Sequence, residues 1–204
     1  MNPMTSTVPA AQERKAPGRP RNAQADEAIL DAVLALMSEG QSATAVSIEA
    51  VAARAGVGKA TIYRRWPNKE SLLIDAVRSM KGPIPELPGA SVRDDLIAMV
   101  TANRSSRSRE FGKVTACLLP ELQRDAELSR MHHAVMEPRR EVMRTILRRG
   151  IAGGELRADL NIELTLLMLS GPSMMQGLFG IDTGVTDDDF PTMLVDSLLR
   201  GAAA

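Results

Sequence analysis

Cysteine is nearly absent from this chain: Cys117 is the single one in 204 residues. That excludes an internal disulfide framework and fits a reducing compartment. No apolar run reaches membrane-spanning length, and the N-terminus is too polar for a secretory signal, so a cytoplasmic protein without a membrane partner is expected. Histidine is scarce too. His132 and His133 are adjacent, and on a helix neighbours point about 100° apart, which suits neither a shared metal nor a catalytic pair. No β-type alternation of useful length occurs, so no strand precedes a glycine-rich phosphate loop. Cys117 has no evident base beside it and reads as a small hydrophobe rather than a nucleophile. Catalysis, a metal and a cofactor are therefore not expected. Net charge is also missing, at +0 overall, which taken alone argues against a nucleic-acid partner.

The charge that exists is unevenly placed. Residues 1–81 hold 11 Lys and Arg against 8 Asp and Glu. Since the whole chain has 25 of each, residues 82–204 keep 14 against 17. A basic first third can approach DNA even when the total balances.

Within that third, residues 47–69 read SIEAVAARAGVGKATIYRRWPNK. Ser47 suits the N-cap of a helix whose inner face is Ile48, Val51 and Ala52. Gly56 suits the left-handed exit from that helix, Val57 plugs the turn and Gly58 opens a second helix over 59–65. On this second helix Ile62 points inward, leaving Lys59, Thr61, Tyr63 and Arg64 largely outward. Pro67 stops it and Asn68 caps the next. Two short helices joined by a glycine turn are written as a helix-turn-helix, and cationic and hydroxyl side chains on an outward face are what a helix needs in a major groove.

From Ala28 to Leu73 the chain resembles the DNA-binding domain of the TetR family of bacterial repressors. The resemblance is carried by Ser47, Val51, Ala52, Ala55, Gly56, Val57, Lys59, Thr61, Ile62, Tyr63, Trp66, Pro67, Asn68, Lys69, Glu70 and Leu72. It implies an all-α fold with an N-terminal three-helix DNA-binding unit and a C-terminal helical unit for effector binding and dimerisation. It also implies a phosphate contact at Tyr63, a backbone clamp at Lys69, and base or phosphate contacts at Lys59, Thr61 and Arg64, with Ser47 in the DNA-facing set. Many relatives have Ser and Gly where this chain has Gly58 and Ala60, so a side-chain phosphate contact at 58 is not expected.

Around this motif the organisation reads in three parts. Residues 1–22 form a basic arm in which Arg14, Lys15, Arg19 and Arg21 alternate with Pro and Gly. Such an arm can lie in a minor groove, with Arg19 and Arg21 as contacts, or serve as a solubilising tail. Residues 23–81 are the DNA-binding unit, whose first helix, 23–40, has the core stripe Ile29, Val33, Leu36 and Met37. The stretch GPIPELPG, 82–89, holds three prolines and ends that unit. Residues 82–204 are the second unit, with helices expected at about 91–106, 110–123, 126–151, 161–180 and 187–200. Pro120, Pro138 and Pro172 fall inside or near these segments.

The second unit is rich in methionine, whose flexible thioether suits either a cavity for apolar guests or the filling of core gaps. The resemblance implies an effector site among the fifth to eighth helices, with Met99, Asn103, Cys117, Leu118, Met136, Met143, Met168 and Met175 as its lining. It also implies a homodimer through the last two helices, by Leu164, Leu167, Gly171, Leu178, Met193, Leu194 and Leu198. The function implied is a ligand-responsive transcriptional regulator, a repressor that binds a palindromic double-stranded operator as a dimer and is released by a small apolar or amphipathic effector. The alternative is a constitutive or architectural DNA-binding protein whose second unit only dimerises.

Overall fold

In the computed structural model, residues 21–202 are described, except 41 and 105–107. Those residues form nine helices and no strand: α1 (Arg21–Ser38), α2 (Ile48–Ala55), α3 (Lys59–Tyr63), α4 (Lys69–Ser79), α5 (Val92–Asn103), α6 (Ser108–Arg124), α7 (Ala126–Ala152), α8 (Ile162–Phe179) and α9 (Phe190–Ala202). The all-α expectation holds. Local chemistry sets most of the ends. Side-chain oxygens of Ser47, Asn68, Ser91, Asp125 and Asn161 accept backbone N–H groups in the first turns of α2, α4, α5, α7 and α8, satisfying donors that a helix start leaves open.

Several helix boundaries differ by a few residues from the sequence reading, and two of them have a clear local reason. The helix expected over 59–65 ends at Tyr63 because its last turn tightens: the N–H groups of Arg65 and Trp66 both donate to the Ile62 carbonyl. α9 starts at Phe190 rather than 187. Thr186 takes the Asp189 N–H on Oγ1 and donates that hydroxyl to the Asp189 carboxylate, holding 187–189 in a turn. α1 starts at Arg21, two residues inside the expected arm.

Two hydrophobic cores hold the helices together, and their border does not follow the chain. The first joins the apolar faces of α1, α2, α3 and α4 with Val114, Leu118 and Leu128, and with Cys117, Leu122, Met131, Val135 and Met136 packed against them. Those last eight come from α6 and the first half of α7. The second core joins α5, the later half of α7, α8 and α9 through Leu96, Met99, Val100, Met143, Ile146, Leu147, Leu166, Leu169 and Val195. α7 thus belongs to both cores, while α6 packs into the first and touches α8 of the second.

The proline-rich connection is tied down from the second unit. Arg139 on α7, itself buried, donates to the Gly82 and Pro83 carbonyls and to Asn103 Oδ1 at 3.0 Å. The fully buried Asp95 carboxylate accepts the Gly89 N–H at 2.8 Å and the Arg149 guanidinium at 2.7 Å, which supplies the partners that a buried charge requires.

Candidate DNA interface and ligand cavity

The reading head is a rigid pair of helices with a polar outer face. Gly56 sits at φ +66°, the left-handed conformation that costs glycine no Cβ clash. Its turn swings α3 across α2, and Ile62, fully buried, pins α3 to the first core. Arg65 locks the end of α3 from behind, pairing with Asp26 on α1 and donating to the Thr61 carbonyl at 3.1 Å. The Trp66 indole donates to Asp75 on α4 at 3.0 Å and fixes the next corner. The residues of this corner come from local sequence; the Arg65 to Asp26 tie spans two helices and has no sequence signature.

With α3 fixed, Lys59 and Tyr63 on it and Arg64 at its C-cap point outward, Tyr63 being 54% exposed, while Thr61 is half-buried. Lys59 Nζ lies 2.6 Å from Glu49 on α2. This pairing holds the Glu49 carboxyl below, and the Lys59 ammonium above, their ordinary values. Ser47 uses its oxygen as the α2 cap, accepting the Ala50 N–H at 3.1 Å, which leaves its hydroxyl proton to donate elsewhere. Lys69 donates one of its protons to the Thr44 carbonyl at 2.7 Å, and partial burial lowers its pKa. Ser47, Lys59, Tyr63, Arg64 and Lys69 therefore all belong to the segment that runs from the α2 cap to the first residue of α4. Arg19 and the rest of the arm to residue 20 lie outside the described residues.

A cavity of about 630 Å³ opens in the second unit between α6, α8 and residues 180–187. Its wall includes Arg104 just past α5, Lys113 on α6, Gln176, Gly177 and Leu178 on α8, and Ile181, Val185 and Asp187 beyond it. The cavity sits beside the place where α6 and α8 touch backbone to backbone. A Cβ added at Gly112 would collide with the Gly177 peptide. Glycine at both positions permits that approach, and neither was singled out from the sequence.

None of the eight residues expected to line an effector site lines this cavity. Met99, Leu118 and Met143 are buried in the two cores, where their thioethers and branched chains fill space between helices. Cys117 and Met136 pack on the first core; the Cys117 thiol faces the Met37 carbonyl at 3.3 Å, and burial raises its pKa. Asn103 accepts the Arg139 bond already described. Met168 and Met175 face outward. A family resemblance that implies a lining cannot say which side chains of this particular sequence border empty space.

The residues expected at a dimer contact divide in two. Leu164, Leu167 and Met193 are exposed, Leu167 at 58%, and Met168, Met174, Met175 and Phe179 extend the same apolar exposure along α8. Gly171 has open space beside it. Leu194 and Leu198 instead pack partly on the second core, and Leu178 borders the cavity. Among the described residues no helix is long and apolar enough to cross a membrane, and no three potential metal ligands cluster.

Comparison with known proteins agrees with this architecture. Residues 29–76 match the family model for bacterial regulatory proteins of the tetR family, and residues 88–198 match that for the tetracyclin repressor-like C-terminal domain. The HTH-type transcriptional regulator YdeS of Bacillus subtilis is 34% identical over 191 residues, covering 92% of this chain and 94% of its own. The fatty acid metabolism regulator protein of the same bacterium is 26% identical over 150 residues, 70% of this chain and 76% of that one. Among solved structures, the transcriptional regulator FadR from Bacillus subtilis, in complex with stearoyl-CoA, superimposes with a TM-score of 0.72 at 22% identity, covering 86% of this chain and 98% of that one. With a reading head and a helical second unit both matched in order, this chain belongs to the TetR family of transcriptional regulators.

Proposed function

We propose that this regulator is a ligand-responsive repressor that binds a palindromic operator as a homodimer in the cytoplasm and leaves it when an amphipathic effector occupies the second unit. The observation that carries the reading is the shared core: α6 and the first half of α7 pack on α1 and α4, while α6 also walls the cavity. A guest that displaced α6 would press on the reading head without any flexible intermediary, because packed cores respond by shifting rather than by stretching. A cavity of this size lies within the range of small-molecule sites. That favours the switchable repressor over a constitutive binder whose second unit only dimerises.

The effector class follows the fatty-acid regulators among the similar proteins: FadR of Bacillus subtilis binds stearoyl-CoA in its solved structure, and the fatty acid metabolism regulator protein of that bacterium is similar over 150 residues. Long acyl thioesters are therefore the first effectors to try. The dimer is supported by the exposed apolar face of α8 with Met193, since burying each large side chain gains about 1.5–3 kcal/mol. Two reading heads related by a two-fold axis would meet half-sites about 34–36 Å apart, or a close relative of that spacing. Selection of bound sequences from random duplexes tests the first half and should return inverted repeats; stearoyl-CoA added to the bound duplex tests the second and should release it. Non-repeating sites would remove the dimeric reader, and retention of DNA with every acyl thioester would remove this effector class.

A further inference from the structure

Arg104 is the most constrained polar group on the cavity wall. Its side chain is only 9% exposed; Nη1 donates to Gln176 Oε1 at 2.6 Å, Nη2 donates to Asp187 Oδ1 at 2.6 Å, and the guanidinium lies 3.9 Å from the centre of the Phe190 ring. Its Nε–H is buried and has no acceptor among the described residues. Folded proteins rarely leave such a donor unmet, least of all on a group carrying a full charge. Lys113 adds a second cation to the wall.

The acids facing these cations are poorly placed to satisfy them. Asp187 is 76% exposed, so its ion pair joins a guanidinium nearly out of water to a carboxylate mostly in it. Asp182 is exposed and accepts the Gly184 N–H at 2.8 Å. An incoming anion would give Arg104 a new acceptor, and Asp187 would lose little on release because it is already hydrated. Leu178, Ile181 and Val185 supply apolar wall beside this charged corner, and Gly177 and Gly180 leave room.

We propose that the cavity takes an amphipathic anion whose carboxylate or phosphate replaces Asp187 on Arg104, with Lys113 as second cation and the apolar chain against Leu178, Ile181 and Val185. This rests on the reading above that the second unit holds an effector, and it names that effector's chemistry. Asp187 is then an internal competitor that the ligand must displace.

Calorimetric titration of the full-length protein with decanoate, decanoyl-CoA and decan-1-ol tests it, using wild type, Asp187→Asn and Arg104→Met. At least one anion should bind tenfold or more tighter than the alcohol. Whichever anion is tighter distinguishes a carboxylate site from a phosphate site. Asp187→Asn should tighten that anion severalfold and leave decan-1-ol unchanged, a gain that loss of a merely structural ion pair would not produce. Arg104→Met should bring the anion down to the alcohol's level; should this variant fail to fold by circular dichroism, Asp187→Asn decides. Equal binding of alcohol and anions, absence of anion binding, or an anion affinity unchanged or weakened in Asp187→Asn each overturns the site. Operator release is scored separately. Release by a ligand indifferent to both substitutions overturns this site and keeps the effector reading, whereas Arg104-dependent binding without release keeps the site and removes that reading.

Discussion

Arg64 and Arg65 are neighbours in the chain with opposite surroundings. Arg64 is exposed beside Tyr63, while Arg65 is turned back onto α1 through Asp26 and onto the Thr61 carbonyl. Arg64→Ala and Tyr63→Phe should therefore weaken operator binding without lowering thermal stability. A lost base contact would cost about 1–3 kcal/mol and relax specificity at one position, while a lost phosphate contact would lower affinity on every sequence and flatten the salt slope. Arg65→Ala should do the reverse first, lowering stability by about 1.5–3 kcal/mol through hydrogen bonds lost to a charged group. Gel-shift titration paired with thermal melts separates the two; an Arg64→Ala protein that binds like wild type would take α3 out of the groove. Lys59 carries a subtler expectation. Glu49 holds its ammonium at 2.6 Å in the free protein, so DNA phosphate must compete with a carboxylate for it. Glu49→Gln should raise DNA affinity, most at low salt where exposed charges are least screened. An unaltered salt dependence would mean that Lys59 stays on α2 in the complex.

At the scale of the helices, the crossing of α6 over α8 is the closest approach that a glycine pair permits. Gly112→Ala sets a methyl into the Gly177 peptide, and backbone cannot move aside as a flexible side chain can. The helices must separate, at about 1–3 kcal/mol for such overpacking, which denaturant unfolding would register as a lower midpoint; an unchanged midpoint would mean that the crossing is loose in solution. The end of α4 carries a different sensitivity. Burial, with Arg139 nearby, brings the Lys81 ammonium down to about 8, and burial with His133 and Lys81 nearby lowers His132 below its ordinary 6.5. A cation whose folded pKa is depressed binds fewer protons folded than unfolded, so stability falls as pH drops through the unfolded value. For His132 that loss sets in as pH falls below about 6.5; for Lys81 it develops as pH falls from about 10.5 to about 8 and is complete below that. Melting temperature measured from pH 8 to pH 5 should decline, and His132→Asn should shallow the decline; equal slopes in both proteins would assign it to other groups. Helix caps and turns such as Ser47, Gly56 and Pro67 were legible because their chemistry acts within a few residues. The cavity was not, since Arg104 meets Gln176 and Asp187 at separations of 72 and 83 residues. The packing of Cys117 on the reading head's core was not legible either, because its neighbours there come from distant helices.

For the whole molecule, the proposed function depends on two couplings, one between copies and one between sites. Leu167 is exposed and contributes little to its own monomer's core, so Leu167→Glu should leave the monomer folded while placing a charge in an apolar contact. Sedimentation should then report a monomer, and operator affinity should collapse because one head alone covers one half-site; a Leu167→Glu dimer that still binds operator would move the interface elsewhere. The proposed coupling between sites runs from the cavity through α6, whose Cys117 carbonyl accepts the Ala43 N–H at 3.4 Å and whose Cys117 thiol meets Met37. An effector can shift the heads only by as much as its affinity differs between the DNA-competent and DNA-incompetent forms, typically about 1–3 kcal/mol, or about 5–150-fold. Linkage makes that factor reciprocal. Operator duplex must weaken effector binding by the same ratio that effector weakens operator binding, whatever path the motion takes. Titrating an acyl thioester that releases DNA into the free protein and into the saturated operator complex should give two dissociation constants in that ratio. Equal constants would leave a TetR-family DNA binder with an occupied cavity and no switch.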